Sequence, residues 1–340
     1  RYHSGKMSDR IEDVFEKKIR PVRFERTIGL FGATTIGVGA LMGAGVYVLI
    51  GMAAGVAGPS VVLSYVLCGA LAFLTTLMFS ELARLVPRSG GGYLYAYETL
   101  GSLAGFGTGW FLALGSMFAC GLYAIGFAEY AVSFTGMHLP PLVIKLVAIS
   151  VILLLGFINS RPAKGGFDAQ AWLTWGNLTI LLVLVLFGMF HVRTENLKPV
   201  FPNGFSGTLE AISIIYISFF GYQLIANNAD EVIDAEHTVP KAMKLSMSIS
   251  MAAYVAIALT AVMVVPWQTL ASSNAPLVIL ANEAMGGKAW LMISAGGVLA
   301  SLAALNSTLV SQSRQVFVMG QHRFFPDALG KLDEDSKKPR

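Results

Sequence analysis

Long apolar runs separated by short polar segments fill most of this sequence. Between residues 27 and 80 there is no charged residue and no histidine. A bilayer core takes roughly 20 helical residues, so this stretch predicts two membrane spans joined by a turn at 55–60. The same pattern of apolar runs and breakers predicts eight spans in all, at about 29–52, 61–83, 103–135, 142–159, 171–191, 208–229, 245–267 and 289–320.

These spans predict three parts of the chain. Residues 1–28 form a cytoplasmic N-terminal segment with a basic, helix-like stretch at 7–18, and residues 29–332 form the transmembrane domain. Residues 333–340 begin a further cytoplasmic loop, so we expect a truncated chain. The first apolar run is not a signal peptide, because a basic segment precedes it and no cleavage pattern follows it.

Composition and charge support a multi-pass protein of the cell membrane. Of 340 residues, 55% are hydrophobic and 13% are charged, whereas soluble domains average about 25% charged residues. With the N-terminus in the cytoplasm, 20 of the 24 Lys and Arg residues fall on the cytoplasmic side, as topology rules require. We interpret them as topology signals or contacts to lipid headgroups, and we expect no nucleic-acid partner.

Enzyme chemistry has little support in the sequence. Both cysteines, Cys68 and Cys120, fall inside apolar spans and are interpreted as small buried hydrophobic residues. The five histidines show no metal-ligand spacing, and there is no nucleotide-binding loop and no nucleophile–base arrangement. We therefore expect no catalytic residues, no metal and no cofactor.

Glycines crowd the first span, at Gly37, Gly39, Gly43 and Gly45. One interpretation is close helix packing, because Gly39 and Gly43 form a small-xxx-small pair. The other is a break in the helix, which membranes tolerate only inside protein or along a cavity. A helix that restarts there presents free N–H groups and a positive dipole end to a carboxylate.

The sixth span offers a second break at Gly221, which is surrounded by aromatic and polar residues. Free carbonyls at this break would accept hydrogen bonds from an ammonium group, and paired breaks of this kind occur in transporters. A carboxylate at one break and an ammonium at the other would bind an α-amino acid. Packing of the aromatic residues against a neighbouring helix is the alternative.

Four stretches resemble the amino acid–polyamine–organocation transporters, nearest to the cationic amino acid transporter-like and bacterial permease branches. They are IGVGALMGAGVYVLIG at 36–51, SELARLVPRSGGGYLYAYETLG at 80–101, GYQLIANNADEVIDAEHTVPKA at 221–242 and SLAALNSTLVSQSRQVFVMGQHRFFP at 301–326. The resemblance implies an all-α membrane fold of two inverted five-helix repeats, with helices 1 and 6 unwound at the substrate site. We expect only about eight helices in this sequence, because it ends in what the resemblance identifies as the loop before helix 9.

The resemblance also implies which residues bind substrate. In helix 1, backbone N–H groups of Met42, Gly43, Ala44 and Gly45 would form the carboxylate cradle. In helix 6, carbonyls and side chains would contribute, from Ile217, Ser218, Phe219, Phe220, Gly221 and Gln223. Phe219 or Phe220 would cap the pocket, with core packing as the alternative.

Two positions depart from the pattern of relatives. Gln223 stands where many relatives carry Asp or Glu, so a fixed negative charge for cationic substrates is absent. Asn177 stands near the place of a helix 5 lysine that replaces sodium in some relatives, and Asn cannot carry that charge.

Charged residues inside spans are costly and suggest functional roles. We predict that Glu81, Asp230 and Glu231 pair with Arg84, Arg88 or Arg314 to close the cytoplasmic side, with simple placement at the interface as the alternative. Tyr93 resembles an inner-gate residue or is an interfacial aromatic. Glu129 is a coupling candidate or lies among the outer headgroups.

A sodium site would need helix 1 carbonyls facing helix 8 hydroxyls, of which Ser301, Ser307 and Thr308 are available. Such hydroxyls also serve helix packing, and we expect proton coupling or exchange rather than sodium coupling. The sequence thus predicts a secondary transporter, either symporter or exchanger, of amino acids or related amines. An inorganic cation transporter and a non-transporting amino acid receptor remain alternatives, and the oligomeric state is not predicted.

Overall fold

The computed structural model describes residues 26–134, 140–160, 166–273 and 275–330. Most of the predicted N-terminal segment, residues 1–25, lies outside these residues, as does the predicted loop at 333–340. Within the described ranges the protein is helical and has no β-strand; Ile28 and Val232 form an isolated bridge.

Thirteen α-helices are described in these ranges, and six short 3-10 helices accompany them. The α-helices are α1 (Leu30–Leu41), α2 (Ala44–Ala57), α3 (Val61–Leu85), α4 (Gly91–Leu100), α5 (Ser102–Ser133), α6 (Pro141–Ser160), α7 (Gly166–Gly188), α8 (Gly204–Ile215), α9 (Gln223–Asn227), α10 (Ala235–Val264), α11 (Trp267–Ala271), α12 (Pro276–Met285) and α13 (Ala289–Gln321). The 3-10 helices are Gly58–Ser60, Met189–His191, Thr194–Leu197, Tyr216–Phe219, Ala229–Glu231 and Asp327–Gly330.

Seven described segments are long and apolar enough to cross a bilayer. The first, Leu30–Leu85, has 56 residues, more than twice the roughly 20 that one span needs. It contains α1, α2 and α3, and Gly58 separates α2 from α3 with a left-handed φ of 67°, inside the predicted turn. The all-helical membrane fold is therefore confirmed, while the count of eight spans stays a prediction.

Several helices extend beyond their predicted bounds. Helix α10 begins at Ala235 rather than near residue 245, because its first turns carry polar and charged residues that an apolar run does not include. Helix α8 begins at Gly204 rather than near 208. The periodic core of a span is thus visible in the sequence, but its amphipathic ends are not.

The packing places the two irregular regions at the centre of the bundle. Helix α10 packs on α3 and α1, and α13 packs on α5, α7 and α1. Helix α2 packs on α8, and the short helix α4 lies against α5. The gap between α1 and α2 and the gap between α8 and α9 are consequently enclosed by helices on several sides.

Candidate functional site

The first break in the helices consists of two residues, Met42 and Gly43. Helix α1 ends at Leu41, and α2 begins at Ala44 after Gly43 adopts an extended conformation with ψ of −159°. Of the described residues, none caps the start of α2 with a side chain. Its first N–H groups therefore have no partner within the helix and carry the positive end of its dipole.

The second break is longer and begins with the 3-10 helix Tyr216–Phe219. Phe220 then becomes extended, with ψ of 108°, before α9 starts at Gln223. The Ile217 carbonyl accepts the Phe220 N–H at 3.1 Å, and Gln223 Oε1 accepts the Gly221 N–H at 3.1 Å. Residues of this break thus satisfy part of its own backbone.

The two breaks touch through glycines. A Cβ atom placed on Gly221 would lie 2.9 Å from the Ala40 carbonyl carbon and 3.0 Å from the Leu41 nitrogen, and one on Gly45 would lie 2.6 Å from Ser218 Oγ. Such approaches leave no room for a side chain. The first-span glycines therefore accompany both a break in the helix and close packing against neighbouring helices.

Gly43 is enclosed by other helices. A Cβ atom there would lie 2.6 Å from Ala304 Cβ in α13 and 2.8 Å from Tyr123 Cε1 in α5. The predicted cradle residues Met42, Gly43, Ala44 and Gly45 thus span the break and the first turn of α2. Their role toward a carboxylate stays a prediction.

Tyr254 in α10 joins the two breaks and was not predicted. Its side chain is fully buried, and its hydroxyl contacts the carbonyl of Leu41 at the end of α1 and, at 3.0 Å, the carbonyl of Ser218 in the second break. A tyrosine in an apolar helix gives little warning of this position. The general rule that a buried tyrosine hydroxyl needs a partner is the one available signal.

Asn177 in α7 contacts the first break directly. Its Nδ2 donates to the Met42 carbonyl at 3.2 Å, and its Oδ1 accepts the Tyr47 hydroxyl at 2.5 Å. Tyr130 in turn donates to the Tyr47 carbonyl at 2.9 Å. The amide therefore ties the break to α2 and α5 through neutral hydrogen bonds.

Two polar atoms at the second break have no hydrogen-bond partner among the described residues: Ser218 Oγ and Gln223 Nε2. Both side chains are buried, with 3% and 4% exposure. Buried polar groups normally have partners, so these two atoms are free to bind a polar ligand at the break. Ser301 Oγ in α13 is equally buried and has no described partner.

The two aromatic candidates for a pocket cap lie in different environments. Phe219 is buried, with its ring centroid 5.1 Å from Tyr254 and 6.5 Å from Tyr65. Phe220 is half-buried and faces Gly115 in α5, where an added Cβ would lie 3.6 Å from its ring. Phe219 is thus a core residue, and Phe220 is the one that faces another helix of the predicted site.

The predicted gate carboxylates divide into one buried and one exposed ion pair. Glu231 binds Arg314 of α13 at 2.7 Å, with side-chain exposures of 19% and 10%. Its carbonyl also accepts the N–H groups of Thr27 and Ile28 at 2.9 and 3.0 Å, so Glu231 joins three segments. Glu81 instead pairs with Arg84 on its own helix, more than half exposed, and joins no two elements.

The remaining gate candidates take no part in these two ion pairs. The Asp230 N–H donates to Ser89 Oγ at 3.0 Å. Tyr93 is buried in α4, and its hydroxyl lies 2.6 Å from His322 Nδ1. Glu129 is half-buried near the end of α5, and its role as a coupling group stays a prediction.

A neutral amide binds one of the three hydroxyls that the sequence offered for a sodium site, that of Ser307. Gln170 Nε2 in α7 donates to the Ala303 carbonyl at 3.2 Å and to Ser307 Oγ at 2.8 Å. Its Oε1 accepts from Asn306 at 2.9 Å, and a Cβ on Gly39 would lie 2.5 Å from its nitrogen. Sequence reasoning missed Gln170, because its partners in α13 are far away along the chain.

Among the described residues, the titratable side chains form no metal-binding group. Within the described ranges no three His, Cys, Asp or Glu residues come together. Cys68 and Cys120 are both free thiols.

Comparison with known proteins supports one family. The family model described as "Amino acid permease" matches residues 28–339. The branched-chain amino acid permease BcaP of Bacillus subtilis is 27% identical, over 97% of this chain and 74% of that protein. The methylthioribose transporter of the same organism is 26% identical, over 92% of this chain and 71% of that protein. Cationic amino acid transporter 4 of Mus musculus is 26% identical, over 95% of this chain and 54% of that protein.

A solved structure supports the fold. Mhp1, a nucleobase-cation-symport-1 family transporter in a closed conformation, superposes with a TM-score of 0.54 at 16% identity and covers 90% of this chain and 69% of that one. The helical membrane segments, the two broken helices and the family match agree with one another. The chain therefore belongs to the amino acid permease family, a class of multi-pass membrane transporters rather than enzymes.

Proposed function

We propose that this chain binds amino acids, or related amines, between its two broken helices and carries them across the cell membrane by alternating access. It acts as a symporter or an exchanger, with its N-terminus in the cytoplasm. The observation that carries the proposal is the direct contact of the breaks, where Gly221 meets the end of α1 and Gly45 meets Ser218. Discontinuous helices that meet in this way form substrate sites in other transporters.

The arrangement suits the two charged groups of an amino acid backbone. The uncapped start of α2 offers N–H groups and a positive dipole end to a carboxylate. The Ile217 carbonyl accepts one hydrogen bond, and the Ser218 carbonyl shares the Tyr254 hydroxyl with the Leu41 carbonyl. Because a carbonyl oxygen has two lone pairs, each keeps capacity for an ammonium group.

Gln223 supports a preference for neutral side chains. Its oxygen is held by the Gly221 N–H, and its nitrogen is the buried atom without a described partner. An amide supplies no negative charge, and a cationic side chain buried without compensation is unfavourable. The relative BcaP is named for branched-chain amino acids, which are neutral, whereas other relatives are named for cationic ones.

Gln170 supports a mechanism without sodium. Its amide nitrogen already binds the Ala303 carbonyl and Ser307 Oγ, which are the kinds of oxygen that a hard cation would need. The neutral N–H donor there occupies oxygen atoms that a cation would otherwise coordinate, and it adds no charge. We therefore propose proton coupling or exchange, and replacement of sodium by choline should leave amino acid binding unchanged.

Binding competition on the purified protein tests the proposal. We expect alanine and leucine to compete better than arginine and lysine. Gln223→Glu keeps an oxygen for the Gly221 N–H and replaces the unpartnered nitrogen by a carboxylate oxygen, so it should shift preference toward cationic substrates. The expected shift is about 1–3 kcal/mol, as for a hydrogen bond to a charged group.

Gln312→Glu is the matched control. Gln312 also has a bonded oxygen, which accepts from Ser116 at 2.9 Å, and a buried nitrogen without a described partner, but it belongs to neither break. Its substitution should not change substrate preference. Tight arginine binding to the wild type, with no change in Gln223→Glu, would refute the proposed role of Gln223. Absence of amino acid exchange in counterflow assays would refute transport itself.

A further inference from the structure

A histidine at the end of α13 makes two contacts with helix α4. His322, which follows α13 directly, places Nδ1 2.6 Å from the hydroxyl of Tyr93. Its ring stacks on that of Tyr97, with centroids 4.5 Å apart and planes 22° apart. Tyr93 and Tyr97 both belong to α4, so one imidazole makes a hydrogen bond and a stacking contact with the same short helix.

The chemistry of Tyr93 fixes the protonation of this contact. Burial raises the pKa of the Tyr93 hydroxyl above its ordinary value, so the phenol keeps its hydrogen. A phenol can donate or accept a hydrogen bond, but this buried hydroxyl needs an acceptor for its hydrogen. We therefore assign Nδ1 of His322 as the acceptor, with the hydrogen of the neutral ring on Nε2. A proton on Nδ1 would turn this acceptor into a second donor facing a buried hydroxyl.

The backbone after His322 is held in an unusual conformation. Arg323 has a left-handed φ of 61°, which costs free energy for a residue other than glycine. The Phe324 N–H returns to the Met319 carbonyl at 3.0 Å, and the Arg323 N–H returns to Gly320 at 3.0 Å, closing the helix end as in a Schellman motif. Phe324 packs its ring against Tyr93 and Tyr97 with centroids 6.1 Å from each.

Charged groups around the imidazole act on its protonation in opposite directions. Glu98 of α4 and Arg88 before it form a pair at 2.7 Å, and Arg323 adjoins the histidine in sequence. Burial lowers the pKa of His322 below its ordinary value, the Glu98 carboxylate opposes this and the Arg88 guanidinium adds to it. Stacking on Tyr97 favours the protonated imidazole, but protonation of Nδ1 leaves the hydrogen of the Tyr93 hydroxyl without its acceptor.

Helix α4 also reaches the second break. A Cβ atom on Gly91 would lie 2.3 Å from Asn227 Oδ1 and 3.4 Å from the Gln223 carbonyl. Displacement of α4 therefore disturbs α9 and the residue that is proposed to set substrate charge. The contact with His322 fixes the opposite side of the same short helix.

We propose that His322 is a proton-sensitive positioning residue that holds α4 against the end of α13 when neutral and releases it when protonated. The role concerns gating and rests on the proposed transport function. The direction follows from linkage: a released histidine titrates near its ordinary pKa of about 6.5, and the held one binds its proton less tightly. The hold is complete above that pH and weakens as the pH falls through and below it.

Two measurements test the proposal without transport. Nitrogen-15 NMR of histidine-labelled protein, with His322→Gln used to assign the resonance, gives the pKa of His322. We expect a value below about 6.5 in the wild type and a higher one in Tyr93→Phe, which removes the hydroxyl donor. Tyr97→Phe is the matched control, because it keeps the stacked ring, and it should leave the pKa unchanged.

Movement of α4 is measured with a thiol reagent on Leu94→Cys, in a background that lacks Cys68 and Cys120. Leu94 of α4 is 3% exposed and lies in a hydrophobic cluster with Phe317 and Met319 of α13. Lowering the pH from about 7.5 to about 5.5 should raise labelling relative to the same reporter carrying His322→Gln. Dividing the labelling rate of the reporter by that of the reporter with His322→Gln removes the pH dependence of the thiol itself. On lowering the pH, this ratio should rise by up to about tenfold for each unit by which the pKa of His322 differs between the held and released states.

A wild-type pKa of His322 at or above its ordinary value would overturn the proposal, as would a labelling ratio that does not change with pH. If these fail while amino acids still compete for binding, the proton-sensitive contact is wrong and the proposed function stands. If they succeed while no amino acid binds, the contact stands and the proposed function is wrong.

Discussion

The two breaks differ in how their backbone groups are satisfied. The first is two residues long, and its carbonyls are bound by side chains from other helices, Asn177 of α7 at Met42 and Tyr254 of α10 at Leu41. The second runs through a 3-10 helix and an extended residue, and it is closed partly by its own Gln223. One break is thus shaped by its surroundings and the other partly by its own residues.

This difference predicts unequal roles in a moving transporter. The geometry of the first break depends on side chains of two other helices, α7 and α10, so it changes when those helices move. The second break keeps its local hydrogen bonds during a rigid-body displacement, but its exit is anchored by Glu231. Substitutions that act on one break and not the other can separate these behaviours.

The largest effect is expected at the exit of the second break. Glu231→Ala removes the carboxylate that pairs with the largely buried Arg314, which keeps its bonds to the Val310 carbonyl and Ser313 Oγ. Removing one member of a fully buried ion pair costs about 3–5 kcal/mol, and because this pair is partly exposed we expect the lower end of that range. Thermal unfolding in detergent should show the loss. Glu81→Ala is the control, because its pair with Arg84 is exposed and is worth about 0–1 kcal/mol; equal losses in both variants would contradict the buried anchor.

A smaller but more local effect is expected where the breaks touch. Gly221→Ala places a methyl group against the backbone of Ala40 and Leu41, atoms that cannot rotate away. Overpacking of this kind costs about 1–3 kcal/mol, and leucine binding should weaken with it. Gly121→Ala, which meets nothing within 4 Å, should unfold at the wild-type temperature or above; retention of both stability and binding in Gly221→Ala would contradict the contact.

The smallest effect is expected at Tyr254, whose hydroxyl forms the joint between the two breaks. Tyr254→Phe removes the hydroxyl that binds Leu41 and Ser218 and should cost about 0.5–1.5 kcal/mol, the net value of one hydrogen bond. Tyr65→Phe removes a fully buried hydroxyl without a described partner from the same aromatic cluster and should cost nothing. Similar unfolding temperatures for the two variants would show that Tyr254 does not hold the breaks together.

Much of the fold was predictable because it depends on local pattern. Apolar runs longer than a bilayer core specify spans, and the glycines around Gly43 and Gly221 indicate where helices cannot be regular. The ion pair of Glu231 was within reach as well, since a carboxylate at the end of a span needs a partner and Arg314 was a candidate.

The residues that tie the site together were not predictable for a physical reason. Tyr254 and Leu41 lie 213 residues apart, and Gln170 lies 137 residues from Ser307. Tyrosine and glutamine in apolar helices look alike whether they face lipid, a core or a broken helix. Only the packing of α7, α10 and α13 decides which of these environments each one meets.

Tyr254 carries one hydroxyl hydrogen but has two carbonyl neighbours, those of Leu41 and Ser218. A phenol donates a single hydrogen bond at a time, so only one of the two carbonyls accepts the hydrogen at any moment. When the helices slide, the hydrogen can pass from one oxygen to the other by rotation about the C–O bond, and the number of bonds made does not change. Tyr254 can therefore stay bound to one break or the other while the two breaks move relative to each other, and its contribution to stability stays nearly constant during that motion.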